Sequence, residues 1–327
     1  MLVLYIILGV ILGLLVILIL LAALIHHVSF GKRWDPDGII KYYSPSDYEG
    51  LEEESIEIPT KKGKLRGKVY FYRKEEYKGI FIFSHGMWGS HRAYVQEMEI
   101  LARNGFKVLG IDAFGTESSE GKNIRGLGNS LLTLDYAISY IKQIYPKENI
   151  YVMGHSWGGF AAANIAKYHR DLAAIVAMSP FISLSRILKH QLPKLLYPTI
   201  PFLILIDAMY CGKYSFANAK KTLNHTIVPT LILHSKDDPM VPYSTSLGYL
   251  KKRIKNQLVQ YDIVDGKKHN PDYTIEGLTY TEQALGKLKD IKDKDERIEY
   301  RKTLDYHKMG ELDENVFNDI LDFLKLY

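Results

Sequence analysis

Residues 149–159 read NIYVMGHSWGG. An apolar run, IYVM, leads into Gly154-His155-Ser156-Trp157-Gly158, and a small-residue stretch, GGFAAANIA, carries the chain onward. A Gly-x-Ser-x-Gly pattern at the junction of a strand and a helix predicts a sharp turn with the serine at its tip. Side chains two positions before and after that serine would collide with the strand and the helix, which accounts for Gly154 and Gly158. The turn exposes the hydroxyl at a helix N-terminus. Ser156 is therefore the candidate nucleophile, and His155, inside the motif, is read as a positioning residue.

A serine hydroxyl attacks only when a base takes its proton, and the base needs an acid to orient it. With this turn, the expected chain order is serine, acid, histidine, each at the end of a later strand. Residues 230–242, TLILHSKDDPMVP, read as a strand and then a turn carrying Asp237 and Asp238. Residues 258–272, LVQYDIVDGKKHNPD, read as a strand and then a loop carrying His269. His269 is the candidate base, and either aspartate is a candidate acid. An oxyanion forming on the substrate needs two backbone N–H donors. One is expected from Trp157, the residue after the nucleophile. The other is expected from the loop Ser84-His85-Gly86-Met87-Trp88-Gly89, which follows the strand GIFIF; Met87 is the candidate there. His85 and Gly86 are read as structural parts of that loop. His91 opens the next helix and is read as structural before substrate-contacting.

Short apolar strands alternate with helical segments outward from this centre. Strands are expected at 55–58, 65–72, 79–84, 107–111, 149–153, 172–178, 230–234 and 258–264, with helices at 91–104, 127–144, 158–168 and 316–326. Such alternation predicts an α/β fold whose mostly parallel central sheet is covered by helices on both faces. In such sheets the site lies at the carboxyl ends of the strands. Residues 180–228 are too long for an ordinary connection and are apolar, with LPKLLYPTIPFLILIDAMY at their centre. They are expected to form a helical cap. Residues 280–315 are dense in alternating charge and are read as a solvated helical insert. The organisation expected is an anchor at 1–25, a connector at 26–50, core at 51–179, cap at 180–228, and core again at 229–327.

Residues 1–25 carry no charged side chain. About 20 apolar residues suffice to cross a bilayer as a helix. No basic residue precedes the run, and it is longer than the apolar region of a signal peptide. A single-pass N-terminal anchor is expected. Lys32, Arg33 and Lys41 follow it, which by the positive-inside rule places the remainder in the cytoplasm, although an outward-facing domain fits the sequence too. The composition of the chain as a whole is that of a globular protein: 47% hydrophobic and 24% charged. The net charge of +5 is spread along the chain and leaves no footprint for nucleic acid. Cys211 is the single cysteine, so neither an intramolecular disulfide nor a multi-cysteine metal site can form. The chemistry outlined requires no metal and no organic cofactor.

The motifs SHGMWG, DAFGTESSEG, GHSWGG, HSKDDPMVP and KKHNP together resemble the α/β-hydrolase superfamily, and within it the serine aminopeptidase-like and monoacylglycerol-lipase-like branch. The resemblance covers residues 79–271 apart from the cap. It implies that the acid lies four residues after His234, which selects Asp238, although Ser235 stands where the family has glycine. It also supports Met87 and Trp157 as oxyanion donors, and implies a structural role for the turn from Asp112 to Gly121. The expected activity is membrane-anchored cleavage of an ester, thioester or amide through an acyl-enzyme, on a hydrophobic or lipid-like substrate. Two other readings remain at this point: a peptidase removing N-terminal residues, and a non-catalytic binding protein on the same fold. A peptidase would need an acidic pocket for the free amine, and the cap holds only Asp207 as an acid.

Overall fold

The computed structural model describes residues 1–39 and 41–327; Ile40, inside the predicted connector, lies outside the described residues. The chain opens with helix α1 (Leu2–Phe30). Residues 1–17 are exposed throughout, whereas Ala22, His26 and Phe30, spaced four apart, are buried on one stripe. A hairpin follows, made of β1 (Glu52–Thr60) and β2 (Gly63–Phe71). Then come β3 (Ile80–Ser84), α2 (Val95–Arg103), β4 (Lys107–Ile111), α3 (Asn129–Ile144), β5 (Ile150–His155), α4 (Trp157–Ile165) and β6 (Ala174–Met178). Between β6 and the next strand lie three helices: α5 (Leu184–Gln191), α6 (Ile200–Cys211) and α7 (Ala219–His225). The chain continues through β7 (Thr230–Ser235), α8 (Leu247–Lys251) and β8 (Val259–Val264). It closes with α9 (Ile275–Asp290), α10 (Lys294–Lys302), α11 (Tyr306–Met309) and α12 (Glu314–Leu324). None of the residues of α10 is buried, in keeping with the charge density of that stretch.

The eight strands form one sheet in the order β1-β2-β4-β3-β5-β6-β7-β8. The pairs β1–β2 and β2–β4 are antiparallel, and every other pair is parallel. Strand β3, IFIFS, shows why this sheet is covered on both sides. Ile80 and Ile82 face one core with Leu131 and Leu134 of α3 and Phe160 of α4. Phe81 and Phe83 face the other, with Met98 of α2 and Phe317 of α12. Alternate side chains point to opposite faces, so a strand buried on both must be apolar throughout. Each buried phenylalanine contributes about 1.5–3 kcal/mol.

The helix predicted at 91–104 is divided. His91–Tyr94 forms a 3₁₀ turn before α2 begins at Val95. The backbone N–H of His91 donates to the buried Asp112 carboxylate, and Tyr94 sits at φ −128° and ψ 21°, outside the helical region. These tethers override the helical pattern of the segment. Because β3, β5, β6, β7 and β8 run parallel, their carboxyl ends open onto a single edge. The loops holding Met87, Ser156, Asp238 and His269 all leave from that edge.

Candidate active site

Ser156 separates the last residue of β5 from the first of α4 and holds φ 56° and ψ −107°. A non-glycine residue in this region is strained by about 1–3 kcal/mol. The surrounding backbone enforces it: the Ser156 N–H donates to the Met178 carbonyl at 2.9 Å, and its own carbonyl accepts from Phe160 at 2.8 Å. The flanking glycines are required by space. A Cβ on Gly158 would stand 1.8 Å from the Ser84 carbonyl oxygen, and one on Gly154 would stand 2.4 Å from the Gly158 carbonyl oxygen. Strand, turn and helix are packed too closely for any side chain at either position.

The Ser156 hydroxyl lies 2.8 Å from His269 Nε2. His269 Nδ1 lies 2.8 Å from Asp238 Oδ2. The other Asp238 oxygen accepts from the backbone N–H groups of Met240 at 2.8 Å and Val241 at 2.9 Å. His234 Nε2 is also 3.2 Å from Oδ2. Burial alone would raise the Asp238 carboxyl. The hydrogen bonds from His234 and His269, with the His269 charge and the Val241 N–H, outweigh it and hold the group well below the usual carboxylate range. Asp237 points elsewhere: its carboxylate takes the Ser235 hydroxyl and the Lys268 N–H, and so shapes the loop ahead of His269. Of the two aspartates left open by position alone, Asp238 is the one in contact with His269.

The remaining motif residues support this relay. His155 is buried, and that burial, followed by the charge of neighbouring His269, lowers its pKa to about 3. It is therefore neutral at ordinary pH. Its Nε2 lies 2.8 Å from the His269 carbonyl and its Nδ1 lies 2.9 Å from the Tyr94 hydroxyl. The neutral ring thus donates to the carbonyl and accepts from the tyrosine. The same tyrosine oxygen accepts from the Gly86 N–H at 3.1 Å. Ser179 adds a second donor to the His269 carbonyl at 2.9 Å. Tyr94 and Ser179 are not among the residues that motif reasoning selects. Ser179 had one available signal, its place directly after β6 at the sheet's carboxyl edge; Tyr94 had none, since it reaches the site only through tertiary contact.

His85 Nε2 accepts from the Ala113 N–H at 3.0 Å, and its Nδ1 lies 2.7 Å from the Gly86 carbonyl. It ties the loop after β3 to the loop after β4. His91 Nδ1 lies 2.8 Å from Asp112. Burial would raise the Asp112 carboxyl, but His91 and other partners bring it down to about 2. The Ser119 hydroxyl donates to the Asp112 carbonyl at 2.7 Å, closing the turn.

A cavity of about 390 Å³ adjoins Ser156 and His269, and Met87 and Trp157 line it with them. Among the described residues, neither the Met87 nor the Trp157 backbone N–H donates to an acceptor within the chain. The Trp157 indole is buried and donates to the Leu127 carbonyl at 2.7 Å, which holds its backbone in place. Leu184 and Leu188 of α5 and Leu203 of α6 close the cavity from above. Size and lining are those of a small-molecule site. Among the described residues, no group of three or more His, Cys, Asp and Glu side chains is arranged to hold a metal ion. Chemically, the arrangement can activate a hydroxyl for attack on a carbonyl placed in the cavity.

Residues 75–205 match a family model described as serine aminopeptidase, S33. A lysophosphatidylserine lipase of Danio rerio, ABHD12, is 28% identical over 200 residues, covering 58% of this chain and 50% of that protein. A cutinase of Thermobifida fusca is 26% identical over 132 residues, covering 40% of this chain and 44% of the cutinase. The chain thus spans about half the length of the curated relatives it matches. Among solved structures, an esterase of Pyrococcus furiosus superposes with a TM-score of 0.57 at 22% identity, covering 79% of this chain and 97% of the esterase. Est1E of Butyrivibrio proteoclasticus, with ferulic acid bound, gives 0.55 at 21% identity over 71% of this chain and 97% of its own. The sheet order, the turn at Ser156 and these likenesses agree: the chain has the α/β-hydrolase fold, and over residues 75–205 it is similar to the serine aminopeptidase S33 family.

Proposed function

We propose that this chain is a membrane-anchored serine hydrolase that cleaves an ester, thioester or amide with a hydrophobic acyl portion. What carries the reading is the relay from Ser156 Oγ to His269 Nε2 and from His269 Nδ1 to Asp238, each step 2.8 Å. His269 Nε2 takes the Ser156 proton as Oγ attacks the carbonyl carbon. The N–H groups of Met87 and Trp157 receive the developing oxyanion. His269 returns the proton to the leaving group, and water then cleaves the acyl-enzyme by the same route in reverse. Asp238 holds the imidazole tautomer and stabilises its charged form. Ester chemistry is favoured by the relatives, which are named as a lipase, a cutinase and esterases. The anchor is supported by the length and composition of α1, whose most apolar 18-residue stretch has a mean hydropathy of 3.3 and is only 6% buried.

An aminopeptidase requires a carboxylate free to meet an amine. Asp207, the cap's only acid, already accepts from the backbone N–H groups of Leu127 and Gly128 and from the Ser215 hydroxyl. Labelling by a fluorophosphonate probe tests the proposal: wild type is expected to label and Ser156→Ala is not. Failure of the wild type to label, or equal labelling of the variant, overturns it. Beside this, the wild type is expected to prefer medium-chain esters to aminoacyl amides in a substrate panel.

A further inference from the structure

The cavity beside Ser156 has a wall from an unexpected part of the chain. Ile25, His26, Ser29 and Phe30, all in the last turns of α1, line it together with the cap. This contact is held firmly. The His26 ring stacks on Tyr210 of α6, with centroids 5.5 Å apart and planes 9° from parallel. The Ile124 N–H donates to the Phe30 carbonyl at 3.2 Å. Just past the helix, the Arg33 guanidinium donates to the Ser119 carbonyl at 2.7 Å and to the Gly121 carbonyl at 3.3 Å. Trp34 then pairs with the segment around Thr116, its N–H donating to Gly115 at 3.0 Å and its carbonyl accepting from Glu117 at 3.0 Å. A segment that served only to tether the domain would need none of these bonds. They fix the rotation and height of α1 against the site.

We propose that the last turns of α1 belong to the substrate site, and that Ile25 and Phe30 form the wall against which the hydrocarbon chain of an acyl substrate lies, so that this helix sets the acyl-chain length accepted. The inference rests on the hydrolase reading above. A hydrocarbon chain is the occupant that fits. The cavity begins at the Ser156 hydroxyl, where an acyl carbonyl would react, and runs between aliphatic side chains of α5, α6 and α1. Among the described residues, the one carboxylate on its lining is that of Asp207, which is engaged by backbone and hydroxyl donors. Filling or enlarging an apolar pocket by a few carbon atoms changes discrimination between chain lengths by about 10–200-fold.

The test uses the full chain in detergent micelles and a series of p-nitrophenyl esters from acetate to laurate. Ile25→Trp fills the wall, and Ile25→Ala opens it. The ratio of kcat/KM for decanoate to that for acetate is expected to fall about tenfold or more in I25W and to rise in I25A. Leu184→Trp, which narrows the same cavity from the cap, is expected to move the ratio as I25W does. Fluorophosphonate labelling reports whether each variant is folded and its serine reactive. Ratios in both Ile25 variants equal to the wild-type ratio, with Leu184→Trp shifted, overturn the role of α1 and leave the hydrolase reading standing. A wild type that neither labels nor hydrolyses any ester overturns the hydrolase reading, and this inference with it.

Discussion

Two adjacent aspartates follow β7, and one hydrogen bond separates their roles. Asp238 receives two backbone N–H groups on one oxygen and faces His269 with the other. Asp238→Asn keeps the shape but can present an amide N–H to His269, stabilising the wrong imidazole tautomer. A loss in kcat of about 10⁴ is expected on an ester substrate, with labelling slowed in parallel. Asp237→Asn alters only the loop bonds to Ser235 and Lys268 and is expected to cost far less; equal losses in the two variants would count against Asp238 as the orienting acid. Position along the chain could narrow the acid to this pair, since both follow the strand. It could not choose between them, because the choice depends on which carboxylate the turn aims across the sheet edge. Resemblance to a known motif supplied that choice. Tyr94 and Ser179 lie further from reach: each meets the site through a contact spanning 61 and 90 residues of sequence respectively, which no local pattern encodes.

Helix α12 shows how an element at the end of the chain supports the site. Val316, Phe317, Ile320, Phe323 and Leu324 are buried, a helical stripe that packs with Phe81 and Phe83 of β3. Asp313 caps the helix by accepting from the Asn315 N–H at 2.9 Å, and its carboxylate also pairs with Lys267, two residues before His269. Phe317→Ala is expected to destabilise the protein by about 3–5 kcal/mol. Chemical denaturation checks this, with a loss under about 1 kcal/mol arguing that α12 is peripheral to the core. The apolar period of α12 and the continuous apolar strands are legible in sequence because burial itself imposes them. Element ends are less so: α2 starts four residues later than its hydrophobic pattern suggests, because Asp112 and His155 hold His91 and Tyr94 in other conformations.

At the scale of the whole molecule, two carboxyls are buried together where α2 meets the loop after β8. Burial raises Glu97 well above its ordinary value, and the Asp272 charge adds to the rise. Burial likewise brings Asp272 to about 6. Both carboxyls titrate higher folded than unfolded, so the native state holds protons that the unfolded chain releases. Their stabilising contribution is complete below about pH 4, where both states are protonated, and is lost as pH rises through the folded values. Glu97→Gln removes one of these groups. Its melting temperature relative to wild type is expected to rise between pH 5 and pH 8, by about 2 °C or more, in thermal melts of the full chain. A constant difference would show that Glu97 is already ionised in the native state over this range, as it is in the unfolded chain, and that burial does not raise it. Nothing in the local sequence announces this pair, just as nothing announces that α1 reaches the cavity beside Ser156; composition marks α1 as apolar, but its partners Ile124 and Tyr210 lie about 90 to 180 residues away. That docking has a kinetic meaning. Helix α1 is about 43 Å long, and as the anchor proposed above it would give about 30 Å of that length to a bilayer's hydrocarbon core. With α1 in the bilayer, the cavity at its end lies close to the lipid surface and travels with it in two dimensions. A lipid dissolved in that membrane would then be met by lateral diffusion, and the effective substrate concentration would be its mole fraction among lipids, not its amount per litre.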